Sequence, residues 1–351
     1  MATLNLSEIF NAYANKKIDK ASVLDYLKSI IENKDDIITR REAVKILGKL
    51  NSNSEKLFNY LESLLISDAD GYVRANAAKI LIDQFSTNAY RPIKWVLERE
   101  KFQECLESIV NTIIQCSNDK LRSLLSLIKH VIYNGKAYLC KNNGLDLSGL
   151  EIINIKDIKK LKCLKNLLWL NLSYNNIKEI NGLSTLRNLK FITFGNNHIT
   201  EIKGLDSLTE LDAIHLNDNY ITEIKGLDAL TNLRSLNINN NQITEIKNLK
   251  TLTKLNLLSL NNNAITEISG LEALHNLVIL QLNDNKIQEI RGIYNLKRLT
   301  TLNLCNNQIK ELIDPKLPNL YYLSLDYNLI PQHQLKTFYK KQRKIIDFRY
   351  F

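Results

Sequence analysis

The chain has 351 residues, of which 44% are apolar and 24% charged, so it fits an ordinary globular protein long enough for two domains. Glycine (11) and proline (4) are scarce, which excludes collagen-like and proline-rich classes and weighs against a β-sandwich. The net charge is +10, and neither a run of about 18 apolar residues nor a signal-like N-terminus occurs, so we expect no membrane span and no secretory signal.

Residues 1–134 are predicted to form an all-helical domain, because their apolar residues recur with helical spacing. Segments 40–50 and 73–83 match each other in sequence, and the acidic turns at Asp36 and Asp70 offer N-caps. The pattern D-x-x-V-R-x-x-A-A-x-x-L over 70–81 resembles HEAT repeats, which implies an α-solenoid of stacked helix pairs. Degenerate further pairs are expected from predicted helices over 89–100, 101–116 and 119–133.

Residues 135–144 are predicted to be a joint between two domains. Asn134-Gly135 and Asn142-Asn143-Gly144 are chain breakers that bracket this segment. The domain that follows is expected over 145–330.

The second domain is repetitive. The frame L-x-x-L-x-x-L-x-L-x-x-N-x-I-x-x-I-x-G-L first appears complete from Leu164 to Leu183. Its asparagine recurs at equal intervals until the last step, which is one residue shorter, at Asn175, Asn197, Asn219, Asn241, Asn263, Asn285, Asn307 and Asn328. The two leucines of each L-x-L core are expected to point inward from a short strand, and the asparagine to bond buried backbone groups. Stacked units are predicted to form a solenoid with a parallel concave sheet.

This frame is that of a leucine-rich repeat array with about nine rungs, the first of them irregular over 145–155. Its 22-residue unit with I-x-x-I-x-G-L resembles the SDS22-like class, named for a regulatory subunit of protein phosphatase 1. The resemblance implies a non-enzymatic scaffold or regulatory adaptor that holds a protein partner on its concave face. In that family acidic and aromatic residues hold the phosphatase. Here the aromatic residues Trp169, Phe191 and Tyr322 have almost no carboxylates beside them, and a helical domain is added, so a phosphatase partner is not expected.

Residues that flank the inward leucines are expected to face the concave surface, because side chains alternate across a strand. They form two columns. The first column is unusually apolar and consists of Trp169, Phe191, Ala213, Ser235, Leu257, Ile279, Thr301 and Tyr322. The second column is polar and uncharged and consists of Asn171, Thr193, His215, Asn237, Ser259, Gln281, Asn303 and Ser324. A third column, further along each repeat, is mostly asparagine.

Aromatic anchors beside polar groups are typical of a protein-binding surface. The predicted partner-binding residues are Trp169, Phe191, His215, Leu257, Ile279, Tyr322, Tyr174 and Tyr327. For Trp169 and Phe191 an alternative stays open, in which the helical domain or the first rung covers them.

The opposite face carries one glutamate per repeat, and stacked carboxylates repel one another. The row consists of Glu179, Glu201, Glu223, Glu245, Glu267, Glu289 and Glu311. Basic residues follow four of these glutamates by two positions, so we interpret the row as a solvated edge that neutralises itself.

The tail over 331–351 is predicted to be a basic amphipathic helical cap starting at Pro331. It holds six Lys or Arg and one Asp, a net charge of +5. Nucleic acid or an anionic membrane is therefore the alternative partner, and a solvated cap face is the structural interpretation. The candidate anion-binding residues are Lys336, Lys340, Lys341, Arg343 and Lys344.

No enzyme signature is present. His215 and Thr193 are the nearest approach to a base and a hydroxyl, and they lack an orienting acid and an oxyanion donor. The five cysteines and five histidines are scattered without ligand spacing, so we expect no metal, no cofactor and no disulfide framework. A reducing cytoplasm is the simplest location, although an effector delivered into a host cell is also compatible with this architecture.

Overall fold

The computed structural model describes residues 6–33, 36–313 and 316–341. The chain divides into two compact units, Met1–Leu139 and Cys140–Phe351. The finer division at 1–134, 135–144, 145–330 and 331–351 stays a prediction. Within the described residues no helix is both long and apolar enough to cross a bilayer.

The first unit is built from helices that pack in succession. They are α1 (Leu6–Ala14), α2 (Lys20–Asn33), α3 (Ile37–Lys49), α4 (Glu55–Ser67), α5 (Gly71–Gln84), α6 (Tyr90–Arg99), α7 (Gln103–Gln115) and α8 (Asp119–Ser123). Helix α2 packs on α3 and α4 on α5, while α3, α5 and α7 contact one another in order. Their apolar faces share one core. The predicted helical domain is confirmed, and its assignment to HEAT repeats stays a prediction.

Acidic residues cap helices α3 and α5 as the sequence predicts. The Asp36 carboxylate accepts hydrogen bonds from Ile38 N and Thr39 N, each at 3.1 Å. Asp70, which precedes α5 in the same way, accepts from Tyr72 N at 3.1 Å and Val73 N at 3.0 Å. Each carboxylate thereby satisfies N–H groups that have no partner inside the helix.

Two bidentate ion pairs tie successive helix pairs together. Arg41 of α3 donates to both oxygens of Asp70 at 2.9 and 2.6 Å, and Arg74 of α5 donates to both oxygens of Glu100 at 2.6 and 2.8 Å. Burial opposes ionisation of Glu100, but Arg74 and the Phe102 N–H outweigh it and lower the pKa of Glu100 to about 2. The same kind of bidentate ion pair therefore recurs between successive helix pairs of the helical unit.

The predicted helix over 119–133 is wrong beyond residue 127. Helix α8 ends at Ser123, a 3-10 turn follows, and the chain then forms an antiparallel hairpin of β1 (His130–Tyr133) and β2 (Lys136–Leu139). Asn134 and Gly135, predicted only as breakers, both have positive φ (47° and 74°), as a two-residue type I′ hairpin turn requires. The hairpin packs on α7, where Ala137 N donates to Asn111 Oδ1 at 2.7 Å.

The second unit is a solenoid with a nine-stranded parallel sheet, whose strands pair in sequence order. The strands are β3 (Gly144–Asp146), β4 (Trp169–Asn171), β5 (Phe191–Thr193), β6 (Ala213–His215), β7 (Ser235–Asn237), β8 (Leu257–Ser259), β9 (Ile279–Gln281), β10 (Thr301–Asn303) and β11 (Tyr322–Ser324). The middle residue of each strand from β4 to β11 is buried, as in Leu170 and Leu280. After Pro331 the chain forms α9 (Gln332–Lys341). The predicted fold class is confirmed.

The repeated asparagines bind the backbone of two neighbouring rungs, as the sequence predicts. Asn219 Oδ1 accepts from Ile199 N of the preceding rung at 2.9 Å. Its Nδ2 donates to Phe194 O of that rung at 3.0 Å and to Leu216 O of its own rung at 3.2 Å. The corresponding asparagines make the same bonds. Asn285, for instance, accepts from Ile265 N and donates to two backbone carbonyl oxygens. One side chain therefore satisfies several buried backbone groups at each turn.

Replacing Asn219 with alanine should destabilise the solenoid by about 3 kcal/mol, because buried backbone groups at two rungs lose their partners. The unit can be followed on its own through Trp169 emission in a Trp95→Phe background, because the chain holds two tryptophans. Asn232→Ala is the matched control, since Asn232 donates to Thr209 O in an exposed segment, and it should cost less than about 0.5 kcal/mol. Equal losses in urea unfolding would contradict the buried role of Asn219.

The helical unit should lose stability as the pH falls from 4.5 towards 2. The unfolded Glu100 carboxyl protonates near 4.5, whereas the folded one stays ionised until about 2, so protons favour unfolding in that window. Glu100→Gln should cost about 3 kcal/mol at pH 7 and flatten the acid dependence. Urea unfolding followed by Trp95 emission in a Trp169→Phe background measures both. Glu98→Gln, at an exposed pair with Lys94, should leave the acid dependence unchanged.

Candidate functional site

Strands β4 to β11 of the concave sheet present an uncharged surface, whereas β3 carries the exposed Asp146 at its third position. The first and third residues of strands β4 to β11 lie on this side and all but two are half-buried, which confirms the predicted alternation. The two exceptions, Ser259 and Ser324, are buried. No Asp, Glu, Lys or Arg stands at any of the sixteen positions in these two columns. We call this surface the concave face. Its side chains offer apolar contact and neutral hydrogen-bonding groups.

Three predicted residues form an aromatic cluster at the N-terminal end of the concave face. The Trp169 and Phe191 rings are stacked, with centroids 6.5 Å apart and an interplanar angle of 7°. The His215 imidazole meets the Phe191 ring edge to face at 4.9 Å and 90°. The indole also lies across Gly144 of the first rung, where a Cβ would stand 2.9 Å from Trp169 Cε3. The Trp169 side chain therefore contacts the first rung and is half-buried.

Burial lowers the pKa of His215 below its ordinary value of 6.5. The desolvated imidazole is therefore neutral at pH 7 and keeps both a hydrogen-bond donor and an acceptor. The aromatic cluster is uncharged under these conditions, like the rest of the concave face.

Leu257 and Ile279 form a second apolar patch. They are direct partners in the register of β8 and β9. Ala213 and Ser235 separate this patch from the aromatic cluster, and Thr301 separates it from Tyr322. The apolar column is thus two patches and a single tyrosine.

Tyr174 and Tyr327 lie apart from the other predicted residues. Both stand in turns after a strand with positive φ (56° and 54°), at the first and the last regular rung. Their side chains are 67% and 72% exposed. The structure does not bring them together with each other or with the apolar patches.

A network of side-chain amides beside the concave face was missed in the sequence, although the asparagine-rich third column signals it. Ser259 Oγ lies 2.7 Å from Asn239 Oδ1 and 2.9 Å from Gln281 Oε1, and its one hydrogen can be donated to either oxygen. Asn261 Nδ2 donates to the same Gln281 oxygen at 3.1 Å. Such bonds link adjacent rungs and fix the amide orientations.

The glutamate row is partly neutralised, because five of its seven glutamates pair with Lys203, Lys225, Lys247 or Arg291. Lys225 Nζ lies 2.8 Å from Glu201 and 3.8 Å from Glu223, and Lys247 Nζ lies 3.3 Å from Glu223 and 3.0 Å from the next glutamate. The Glu201 carboxylate raises the pKa of Lys225. Each lysine therefore bridges two rungs on an exposed surface, where such pairs add little stability.

The predicted anion-binding residues are described only in part. Lys336 and Lys340 are exposed on α9. Lys341 is the last residue of that helix, and its side chain lies outside the described residues, as do Arg343 and Lys344. Among the described residues, no three His, Cys, Asp or Glu side chains are close enough together to hold a metal ion.

The second unit matches a known family. The model for leucine-rich repeats, in two copies, matches residues 165–208, 209–251 and 253–295. These segments lie within the solenoid, so the chain contains a leucine-rich repeat array. The regular spacing of its repeated asparagine gives the length of one repeat. A comparison with curated proteins gives no match.

Several solved structures are similar to the chain. Internalin C2 of Listeria monocytogenes is 27% identical with a TM-score of 0.49, covering 62% of this chain and 90% of its own. A leucine-rich repeat protein of Leptospira interrogans is 29% identical with a TM-score of 0.46, covering 54% of this chain and 56% of its own. Internalin F of L. monocytogenes is 21% identical with a TM-score of 0.39, covering 68% of this chain and 89% of its own.

Phe191→Ala should raise the pKa of His215 towards the ordinary histidine value, because the imidazole loses the ring that packs against it. An NMR titration of the imidazole resonances measures the change. Thr301→Ala, at the same position of a distant strand, should leave the pKa of His215 where it is. An unchanged pKa in the Phe191 variant would show that other contacts desolvate the ring.

Proposed function

We propose that the protein is a non-enzymatic scaffold or regulatory adaptor that binds a protein partner on the concave face. One observation carries this proposal: two half-buried apolar patches lie on a surface with no charged side chain. Covering such patches removes apolar area from water without burying an unpaired charge. Leucine-rich repeat arrays typically bind proteins and are generally not enzymes, which agrees with this function.

The two patches suit different parts of one partner. Trp169 and Phe191 offer flat aromatic surface, and large aromatic side chains dominate the energetics of many interfaces. Leu257 and Ile279 offer a smaller aliphatic surface, three and four rungs beyond Phe191. Tyr174 and Tyr327 lie at the two ends, where they can contribute to the polar rim of the interface.

A phosphatase is not the partner we propose. The SDS22-like resemblance suggests one, but the concave face lacks the carboxylates on which that mode of binding depends. We extend the architecture and the binding face to this chain, and leave the identity of the partner open. The scattered cysteines favour action in a reducing cytoplasm, either of the source cell or of a host cell into which the protein is delivered.

The alternative function is binding of nucleic acid or an anionic membrane through the C-terminal segment. It rests on a net charge of +5 over 331–351 and on the exposure of Lys336 and Lys340. Salt dependence separates the two functions. Apolar recognition should persist at about 0.5 M salt, whereas contacts with several phosphates lose orders of magnitude in affinity.

Leu257→Asp with Ile279→Asp should abolish capture of the protein partner, because the substitutions place two carboxylates in the interface. The measurement is a crosslinking pull-down from lysate of the source cell with wild type and the double variant, at low salt and at about 0.5 M. We expect a protein that wild type retains at both salt concentrations and the variant loses.

Tyr294→Asp is the matched control, because Tyr294 is 42% exposed and the corresponding positions of other repeats carry Asp206 and Asp228. It should capture the partner as wild type does. The pull-down could instead recover only nucleic acid or lipid, which is lost at high salt and which the double variant retains. That result would contradict binding on the concave face and support binding through the basic C-terminal segment.

A further inference from the structure

An open depression of about 700 Å³ lies beside the concave face, where the chain turns away from strands β7 to β10. Most of its lining consists of asparagine side chains. Three of them, Asn240, Asn262 and Asn306, occupy the same position of successive or nearby repeats, with φ of 55°, 51° and 54°. All three are exposed. The depression therefore presents asparagine amides to solvent, with Asp284 at the equivalent position between Asn262 and Asn306.

Hydrogen bonds between rungs orient these amides. Asn262 Nδ2 donates to Asn240 Oδ1 at 3.0 Å, and Asn240 Nδ2 donates to Asp218 Oδ1 at 2.7 Å. Asn306 Nδ2 donates to Asp284 Oδ1 at 2.6 Å. A side-chain amide has two N–H donors and two acceptor lone pairs, so each member of the array keeps capacity for a ligand. The amide N–H donors and carbonyl acceptors of these side chains therefore alternate along the solenoid, and the bonds between rungs fix their orientation before a ligand binds.

The charged residues that line the depression balance in number, which does not favour an ionic ligand. They are one carboxylate, Asp284, and one ammonium, Lys286. The Asp284 oxygens already accept from the amides of Asn306 and Asn283. Phosphate-bearing ligands find no cluster of cations here. The chemistry suits an uncharged ligand whose groups donate and accept at once, and hydroxyl groups do both.

The spacing of the array favours a sugar chain over a peptide. Adjacent rungs are about 4.8 Å apart, whereas an extended peptide advances about 3.3 Å per residue and passes out of register with the amides. One sugar unit of a linear oligosaccharide is close to one rung in length. Tyr327 continues the same column one rung beyond Asn306 and is 72% exposed. Its ring offers a flat surface against which a pyranose face can pack.

We propose that this depression binds a neutral oligosaccharide, with the sugar hydroxyls bonded to the amides of Asn240, Asn262 and Asn306 and a terminal sugar against Tyr327. The site is separate from the apolar patches of the concave face. It shares only Tyr327 with the predicted partner-binding residues, so the amides test it separately from the proposed protein partner.

The test is an array of immobilised neutral and acidic oligosaccharides, followed by calorimetric titration of the full-length protein with the soluble form of each retained glycan. The test variant is Asn262→Gly with Asn306→Gly, because glycine adopts positive φ readily and the change removes only the amides. Asn196→Gly is the matched control, at the same position of a rung outside the depression, with φ of 57°. Thermal unfolding checks that both variants remain folded.

We expect wild type to retain neutral glycans, the double variant to bind them at least about tenfold more weakly, and the control to bind within about twofold of wild type. Three outcomes would overturn the proposal. These are retention of no neutral glycan, retention of acidic glycans alone, and neutral binding that the double variant keeps but Leu257→Asp with Ile279→Asp loses. The last result would place the sugar on the concave face and leave the amide array with a structural role only.

Discussion

The repeated asparagine side chain is the interaction on which the solenoid depends. Each turn of the chain buries N–H and C=O groups that no strand can pair, and an amide such as that of Asn219 bonds to groups of its own rung and of the rung before it. Because every rung is completed by the next, the short strands align and their flanking residues form continuous columns. The concave face and the amide depression both follow from this alignment, since each collects equivalent positions of successive repeats.

The solenoid keeps charged residues out of the concave face. Carboxylates and ammonium groups pair along the glutamate row, where Lys225 and Lys247 each bridge two rungs. The concave face is left with apolar and neutral side chains, and the depression with amides beside one carboxylate and one ammonium. The helical unit uses charge differently, because Arg74 and Glu100 are largely buried and hold successive turns together. Charge therefore has a structural role in the helical unit and a solvating role in the solenoid.

Periodicity made much of this predictable. The regular return of Asn175 and its equivalents fixed the rung length, and strand alternation then placed Trp169, Leu257 and Ile279 on one surface. Contacts without a periodic signal could not be predicted. The hairpin at Asn134-Gly135 was not predicted, because an Asn-Gly pair can either end a helix or form the turn of a hairpin. Which of the two forms depends on what the flanking residues pack against. The packing of Trp169 across Gly144 likewise depends on side-chain rotamers and on the absence of one Cβ.

From Asn197 to Asn307 the bonds of each asparagine reach equivalent atoms, one repeat back and within its own repeat. A gene duplication or deletion that spans one whole repeat would therefore preserve the full set of bonds while lengthening or shortening the array by one rung. The glutamate row and the amide column would stay in register across the new boundary. Descendants of this chain can vary the length of their binding surface in whole steps, without first evolving new contacts to support it.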